Sequence, residues 1–382
     1  MRTPGRTRLP RALIVAAAAL LGLAAVACGD GGKGGDGSGK EPGHLGPTVV
    51  RPDATGEPRG VRLGFSALPP EKTAESYIGA FATAAQYADL ILVQRAPPWE
   101  DFMAGGQISA TTEETTLTEL KLLEQYDGLD LFFAIDPTDG VVQRSRIANL
   151  PPGIDAQVGF EDQALRNAFV AYAAYVAKNY SPKYLALGVE INMLYARTPK
   201  QFEAFVSLYH EAYRVAKAAS PETKIFPTFQ LEDLEGRFGD VHPPQWEVLD
   251  PFRSQMDALA ISTYPYLGDY RSAADIRPDY YAQLKTHWDG EVLVSEAGYA
   301  SGPVEGEANV GTEEDQLAFL QRLLGDAEAN GFSAVVWFAA LDPAFAAEGA
   351  AAVFKDIGLR KSDGANKLAW GTWEEWARRP LK

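Results

Sequence analysis

Two glutamates close otherwise apolar runs: Glu190 in Leu187-Gly188-Val189-Glu190-Ile191-Asn192, and Glu296 in Leu293-Val294-Ser295-Glu296-Ala297-Gly298-Tyr299. A carboxylate at the end of an apolar strand is costly unless it faces a polar opening or is paired. Two of them in one opening can divide a task, because the charge on one raises the proton affinity of the other. That is the equipment of acid–base and nucleophilic chemistry. Either glutamate alone would read as a rim ion-pair residue. Aromatic residues end similar runs: Tyr264-Pro265-Tyr266, Trp337-Phe338, and Trp99 within Pro97-Pro98-Trp99-Glu100. Flat aromatic faces suit sugar rings, whose axial C–H groups pack on them. The alternative for a tryptophan in such a place is packing between a helix and a barrel wall.

Other chemistries lack their residues. One cysteine cannot form an internal disulfide, and four scattered histidines leave little for a transition metal. There is no phosphate-binding glycine loop and no G-x-S-x-G elbow. Asp136-Pro137-Thr138-Asp139-Gly140 has a calcium-like look but too few ligands. Neither a metal nor a cofactor is expected. With 35 basic and 51 acidic residues the net charge is −16, which repels phosphate backbones and argues against nucleic acid as a partner. The chain is 46% hydrophobic and 11% aromatic, ample for a core and unlike a disordered protein.

The elements that must carry these residues are eight short apolar runs: 61–66, 90–95, 129–135, 184–191, 224–229, 258–263, 291–295 and 334–338. Several are apolar throughout, as strands buried on both faces of a parallel sheet are. Helical patterns lie between them. Leu165, Phe169, Tyr172 and Val176 recur at helical spacing, as do Phe202, Phe205, Val206, Tyr209 and Tyr213. Thr198-Pro199-Lys200-Gln201 predicts a capping box with a first-turn proline. Thr312 with Asp315 opens a later helix and Asn330-Gly331 closes it. Eight strands alternating with helices over residues 61–382, without a composition break, predict a single α/β domain, a (β/α)₈ TIM barrel. Active sites of such barrels sit at the C-terminal strand ends, where both glutamates fall.

The N-terminus reads as an address. Arg2, Arg6, Arg8 and Arg11 precede an apolar run from Ala12 to Ala27, the pattern of a secretory signal. Cys28, the only cysteine, follows small residues and resembles the bacterial lipobox, with Ala25 in place of the usual leucine. This predicts a signal peptide over 1–27, lipidation at Cys28, and a flexible Gly/Pro-rich tether over 28–60. The domain would then be held on a membrane by its lipid, at the bacterial cell surface or in the periplasm, as a monomer.

At the strand ends the chain resembles glycoside hydrolase clan A. The resemblance rests on LGVEIN around Glu190, ISTYPY around Tyr264, LVSEAGY around Glu296, VVWF around Trp337, and the tail GLRKSDGANKLAWGTW. The look is nearest the endo-β-galactanases and endo-β-mannanases. It implies a retaining cleavage of a β-linked polysaccharide or oligosaccharide, with Glu296 as nucleophile and Glu190 as acid and then base. It further implies Tyr264 as hydrogen-bond donor to the nucleophile and Trp337 as floor of the sugar being cleaved. Trp99 is a second candidate sugar platform. Arg95, at the end of the second strand, either keeps the nucleophile charged, as the clan's arginine does, or makes a rim ion pair. Asp136 either binds a sugar hydroxyl or turns the chain before Pro137. One departure stands out: Val189 occupies the place of the clan's asparagine, which holds the 2-hydroxyl. Asn192, two residues on, is the candidate to replace it. That departure keeps a second reading open, a barrel that binds glycans without cleaving them. A solute-binding lipoprotein shares the anchor but needs two lobes, which eight strands oppose.

The anchor is testable. Cys28→Ala should abolish lipid attachment and block normal processing. Mass spectrometry of the wild-type protein should find a lipid on Cys28; cleavage elsewhere without lipid rejects the anchor.

Overall fold

The computed structural model describes residues 44–139, 144–238, 242–304, 309, 311–347 and 349–382. The signal peptide, Cys28 and the first part of the tether lie outside these residues. The strands are β1 (Arg62–Ser66), β2 (Leu90–Arg95), β3 (Asp130–Ile135), β4 (Tyr184–Leu187), β5 (Lys224–Phe226), β6 (Thr228–Gln230), β7 (Leu259–Thr263), β8 (Val292–Ala297) and β9 (Ala334–Trp337). All pairings are parallel, in the order β5-β4-β3-β2-β1-β9-β8-β7-β6. The order begins with β5 and ends with β6, which Pro227 alone separates in sequence. They are two halves of the fifth barrel strand, so the sheet closes on itself as a (β/α)₈ TIM barrel. Proline has no N–H to give to a ladder, which is why the strand breaks there. β5 pairs with β4 and β6 with β7.

Long helices cover the wall, among them Ala74–Tyr87, Ala110–Gln125, Gln163–Tyr180, Pro199–Ala219, Glu313–Ala329 and Leu368–Arg378. Leu165, Phe169, Tyr172 and Val176 are buried, as their spacing predicts, and Asp162 caps their helix by accepting from the Leu165 N–H at 3.0 Å. The Thr312 hydroxyl caps Glu313–Ala329 in the same way, accepting from Asp315 N at 3.0 Å. The capping box expected at Thr198 does not form. Thr198 makes no side-chain cap bond, and the Gln201 carboxamide instead accepts from Phe160 N at 2.7 Å and donates to Glu161. A preceding loop has taken the residue that the local motif assigned to the helix.

The fourth strand is shorter than its apolar run. Gly188 turns with φ 102°, and a Cβ there would stand 2.4 Å from Phe205 Cζ. Only glycine fits, so the strand ends at Leu187 rather than at Ile191.

The tether expected over 28–60 is not free from residue 44 on. Leu45 N and Gly46 N both donate to Gln125 Oε1, and the Tyr126 hydroxyl donates to Pro47 O at 3.0 Å. Arg51 reaches Ala85 O. Arg59 is buried and pairs with Asp89 at 2.6 and 3.0 Å, while its Nε donates to Trp376 O and Arg379 O. Thr55 N and Arg59 N donate to Arg378 O and Pro380 O. Glycine and proline content signalled flexibility, but scattered polar anchors fix this segment across the base of the barrel.

Arg59 and Asp89 thus join the entry of the chain, the start of β1 and the C-terminal helix. Arg59→Ala would leave Asp89 buried with only the partly exposed Arg51 beside it. Breaking such a pair should cost about 3 kcal/mol of unfolding free energy. Chemical denaturation checks this, and a loss within about 0.5 kcal/mol, typical of a surface site, rejects it.

Candidate active site

The C-terminal ends of β3, β4, β7 and β8 bring their polar side chains to one mouth. Glu190 follows β4 on a backbone with φ 49°, unusual for any residue but glycine and a form of local strain found at functional sites. The turn is held from strand five: the Thr228 hydroxyl accepts from Glu190 N at 2.9 Å, and Thr228 O accepts from Ile191 N at 3.0 Å. Glu296 lies in β8 opposite Ser262 of β7. Ser262 and Tyr264 are two residues apart and share a face, as strand alternation requires. The Ser262 hydroxyl donates to Glu190 Oε1 at 2.5 Å, and the Tyr264 hydroxyl donates to Glu296 Oε2 at 2.8 Å. The end of β7 and the residue just past it therefore touch both glutamates.

The third part of the site comes from the loop after β3. Arg144 Nε donates to Glu190 Oε2 at 2.6 Å, and its Nη1 donates to both oxygens of Asp136 at 2.8 Å. The loop is shaped by Asp139, whose Oδ1 accepts from Ser145 N and Arg146 N and whose carbonyl accepts from Arg144 N. The Asp139 of the calcium-like motif is thus a loop organiser. Asp136 is also bonded by Thr138, and Gln94 Nε2 approaches it at 3.4 Å.

Glu190, Glu296, Asp136 and Arg144 are all buried, so their charges interact strongly. Burial disfavours the Arg144 cation, but Asp136 and Glu190 more than offset this and hold its pKa above the usual range. Among the described residues no ion pair to Glu296 is formed. Burial and then the charge of Glu190 push its carboxyl up to about 8, against the opposing pull of Arg144 and of the Tyr264 hydrogen bond. In this resting arrangement Glu296 keeps its proton while Glu190 carries the ion pair. That reverses the division of charge expected from the clan, in which the nucleophile is the ionised member.

Several expected residues lie elsewhere. Trp337 has no exposed surface, donates from Nε1 to Ile357 O at 2.9 Å, and sets its ring 6.0 Å from Phe319 of the helix Glu313–Ala329. It packs the wall and offers no face to a sugar. Its neighbour Phe338, one step along the strand, is the aromatic beside the mouth, with its ring 6.0 Å from Tyr264. Arg95 also points outward and makes the ion pair of its alternative reading, with buried Glu119, which accepts from Tyr77 and Tyr180 hydroxyls as well. Gln94, one residue before it, faces the mouth. Trp99 is buried, donating to Ala148 O at 2.7 Å. Trp99 and Arg95 line a separate cavity of about 400 Å³ beside Tyr172 and Tyr175. Asn192 does not stand in for the missing asparagine: its carboxamide is consumed by Gln230 N, Gln230 O and Asp233. Val189 is buried in the apolar core. Two residues of the site carried no sequence signal of their own, Arg144 in an irregular loop and Ser262 within the Tyr264 motif. Among the described residues no group of three or more His, Cys, Asp or Glu is arranged to hold a metal ion.

No protein-family model matches the chain, and no curated protein matches its sequence. Solved structures do match its shape. An exo-β-1,4-mannosidase, Op5Man5, from Opitutaceae bacterium strain TAV5 is 18% identical with a TM-score of 0.62; the match covers 86% of this chain but only 61% of the mannosidase. A GH5_18 variant from Streptomyces cattleya in complex with Manb1-4GlcNAc is 16% identical, TM-score 0.60, covering 84% and 80% of the two chains. A β-glucosidase from Thermotoga maritima, in complex with a substituted glucoimidazole, is 13% identical, TM-score 0.55, covering 80% and 86%. The barrel is thus shared with glycoside hydrolases at low identity.

The proton on Glu296 has a measurable consequence. In the unfolded chain a glutamate loses its proton near 4.5, whereas in the folded protein Glu296 keeps it to about 8. Unfolding between these values releases a proton, so stability falls as pH rises through the window. Glu296→Gln removes this dependence. Its stability should match wild type near pH 4 and exceed it by roughly 2–4 kcal/mol at pH 8. Denaturant midpoints taken across the window that run parallel for both proteins would reject the assignment.

Proposed function

We propose that this barrel is a retaining glycoside hydrolase acting on a β-linked saccharide, anchored outside the cell by a lipid on Cys28. The observation that supports it most is the pair of buried carboxyls contacted from the end of β7, Ser262 on Glu190 and Tyr264, just past the strand, on Glu296. The names of the structural neighbours make β-mannosides and β-glucosides the first substrates to test.

In this reading Glu190 gives a proton to the glycosidic oxygen as the C1–O bond breaks, and a Glu296 oxygen bonds C1. Water then gives its proton to Glu190 and displaces Glu296 from C1, so configuration is retained. The mouth starts with its proton on Glu296. The cycle needs it on Glu190, so Arg144 must first give up Glu190 Oε2. Substrate that takes the place of Arg144 on Glu190 frees that oxygen to carry the proton to the leaving group. Asp136 keeps Arg144 paired meanwhile. Tyr264 stabilises Glu296 once it is ionised.

One observation favours the non-catalytic alternative, a glycan-binding barrel: both oxygens of Glu190 are already occupied, by Arg144 and Ser262. Sugar release from mannan, galactan, xylan and β-glucan separates the two readings, since binding without release supports the alternative.

The roles of the glutamates are tested on 4-nitrophenyl β-mannoside and β-glucoside. Glu296→Ala should fall to near background on every substrate. Glu190→Ala should lose roughly 10²–10⁴-fold on unactivated saccharides and much less on the aryl glycoside, whose leaving group needs no proton. Azide should rescue Glu190→Ala to a β-glycosyl azide and Glu296→Ala to the α-anomer. Exchanged anomers would reverse the roles, an outcome the resting charges make worth seeking. Inversion by the wild type, seen by NMR of early products, would reject the double displacement.

A further inference from the structure

We propose that Glu232 is a positioning residue: its carboxylate, just past the end of β6, seats the backbone of Tyr264 and so aims the Tyr264 hydroxyl at Glu296. The proposal deepens the glycosidase reading and rests on it for its catalytic meaning, but its structural content stands apart from activity.

β7 ends at Thr263, and beyond it the sheet no longer supplies acceptors. The N–H of Tyr264 is buried and needs one. Glu232 Oε2 provides it at 2.9 Å and also accepts from Gln230 Nε2 at 2.5 Å. Its other oxygen accepts from the Thr263 hydroxyl at 2.7 Å and the Tyr280 hydroxyl at 2.6 Å. Each oxygen thus receives two donors, and all four are neutral. Among the described residues no ion pair to Glu232 is formed. Burial raises the proton affinity of Glu232, and these hydrogen bonds oppose the rise. A fully buried carboxylate with no cation is an expensive acceptor, and a neutral one would serve an ordinary strand end. Here the site is the junction of β6 and β7, one residue from the side chain that meets Glu296. Phe338 and Phe354 pack against the Tyr264 ring, so the ring is fixed by apolar contact and the backbone by Glu232.

The Tyr264 hydrogen bond lowers the proton affinity of Glu296, so the Glu296 titration reports whether Tyr264 is seated. The groups facing Glu296 are Glu190, Arg144, Asp136 and Tyr264, and Glu232 is not among its principal neighbours. The titration is read by carbon-13 NMR of glutamate carboxyls in the intact domain, with Glu296→Gln assigning the signal. Tyr264→Phe should raise it by about one pH unit. Glu232→Ala should raise it to the same extent, and the double variant should add nothing. Glu232→Gln, which can turn its carbonyl to Tyr264 N and its amide to the two hydroxyls, should stay near wild type. On an accepted glycoside, Glu232→Ala should lower kcat with KM little changed. A folded Glu232→Ala with an unmoved Glu296 titration overturns the proposal, as does a double variant whose shift is the sum of the two. If Glu232→Ala does not fold, Glu232→Asp withdraws the acceptor by one methylene while keeping the charge, and an unmoved titration there overturns it equally. A wild type without glycosidase activity removes the catalytic reading and leaves the titration result intact.

Discussion

Three carboxyl groups and one guanidinium share a buried mouth, and this imbalance sets the rest. Arg144 is committed to Asp136 and Glu190, with no N–H reaching Glu296. A third negative charge beside two others in a dry site is held off by its neighbours, so the third carboxyl keeps a proton. Glu296 is therefore the carboxyl of the mouth whose protonated form is favoured, by burial and by the charge of Glu190.

The geometry that allows this is stored in the backbone. Gly188 and Glu190 both take positive φ, and the latter is strained. The strain is held because the broken fifth strand sends Thr228 into the turn, with its hydroxyl and carbonyl accepting from Glu190 N and Ile191 N. Pro227 frees Thr228 from continuous pairing. What looks like a defect in the barrel is the source of the acceptors that aim Glu190. On the other side, Ser262 of β7 and Tyr264 just beyond it reach the two glutamates, while Thr263 between them bonds Glu232. The Glu190 turn is thus held from strand five, and Glu296, placed by its own strand, is met by Tyr264 just past β7.

The barrel was legible because its strands are apolar runs at regular intervals, and the two glutamates because each is a charge ending such a run. The sides on which neighbouring residues point were less legible. Arg95 and Trp337 sit one residue from the positions that face the mouth, Gln94 and Phe338, and in a strand one residue is the difference between inside and outside. An apolar run has no alternation to reveal that phase. Arg144 could not be found at all, since it reaches the site through a loop folded by Asp139 and its own neighbours carry no periodic signal. Asn192 was in reach of the mouth by counting along an extended chain, but the turn at Gly188 removed that premise and sent its carboxamide to Gln230. The segment 44–60 was misread for a related reason: composition reports how a chain behaves unbound, and Arg59 with Asp89 binds it.

The acidic composition that argues against phosphate-bearing partners has an internal use. Buried and half-buried carboxylates here accept from tyrosine hydroxyls repeatedly: buried Glu119 from Tyr77 and Tyr180, Glu232 from Tyr280 and Glu296 from Tyr264, and half-buried Glu291 from Tyr184 and Asp257 from Tyr213. A tyrosine brings apolar surface and one directed donor, at a smaller desolvation cost than a lysine or arginine. Such a bond favours the ionised carboxylate without neutralising it. In the outer shell, where Arg95, Lys224 and Lys217 also bind these carboxylates, the result is a fixed anion that ties elements together. Among the described residues Glu296 makes no ion pair, and burial raises its proton affinity against the opposing pull of the same bond. The same tyrosine-on-carboxylate contact thus recurs with a cation beside it at Glu119, Glu291 and Asp257, and, among the described residues, without one at Glu232 and Glu296.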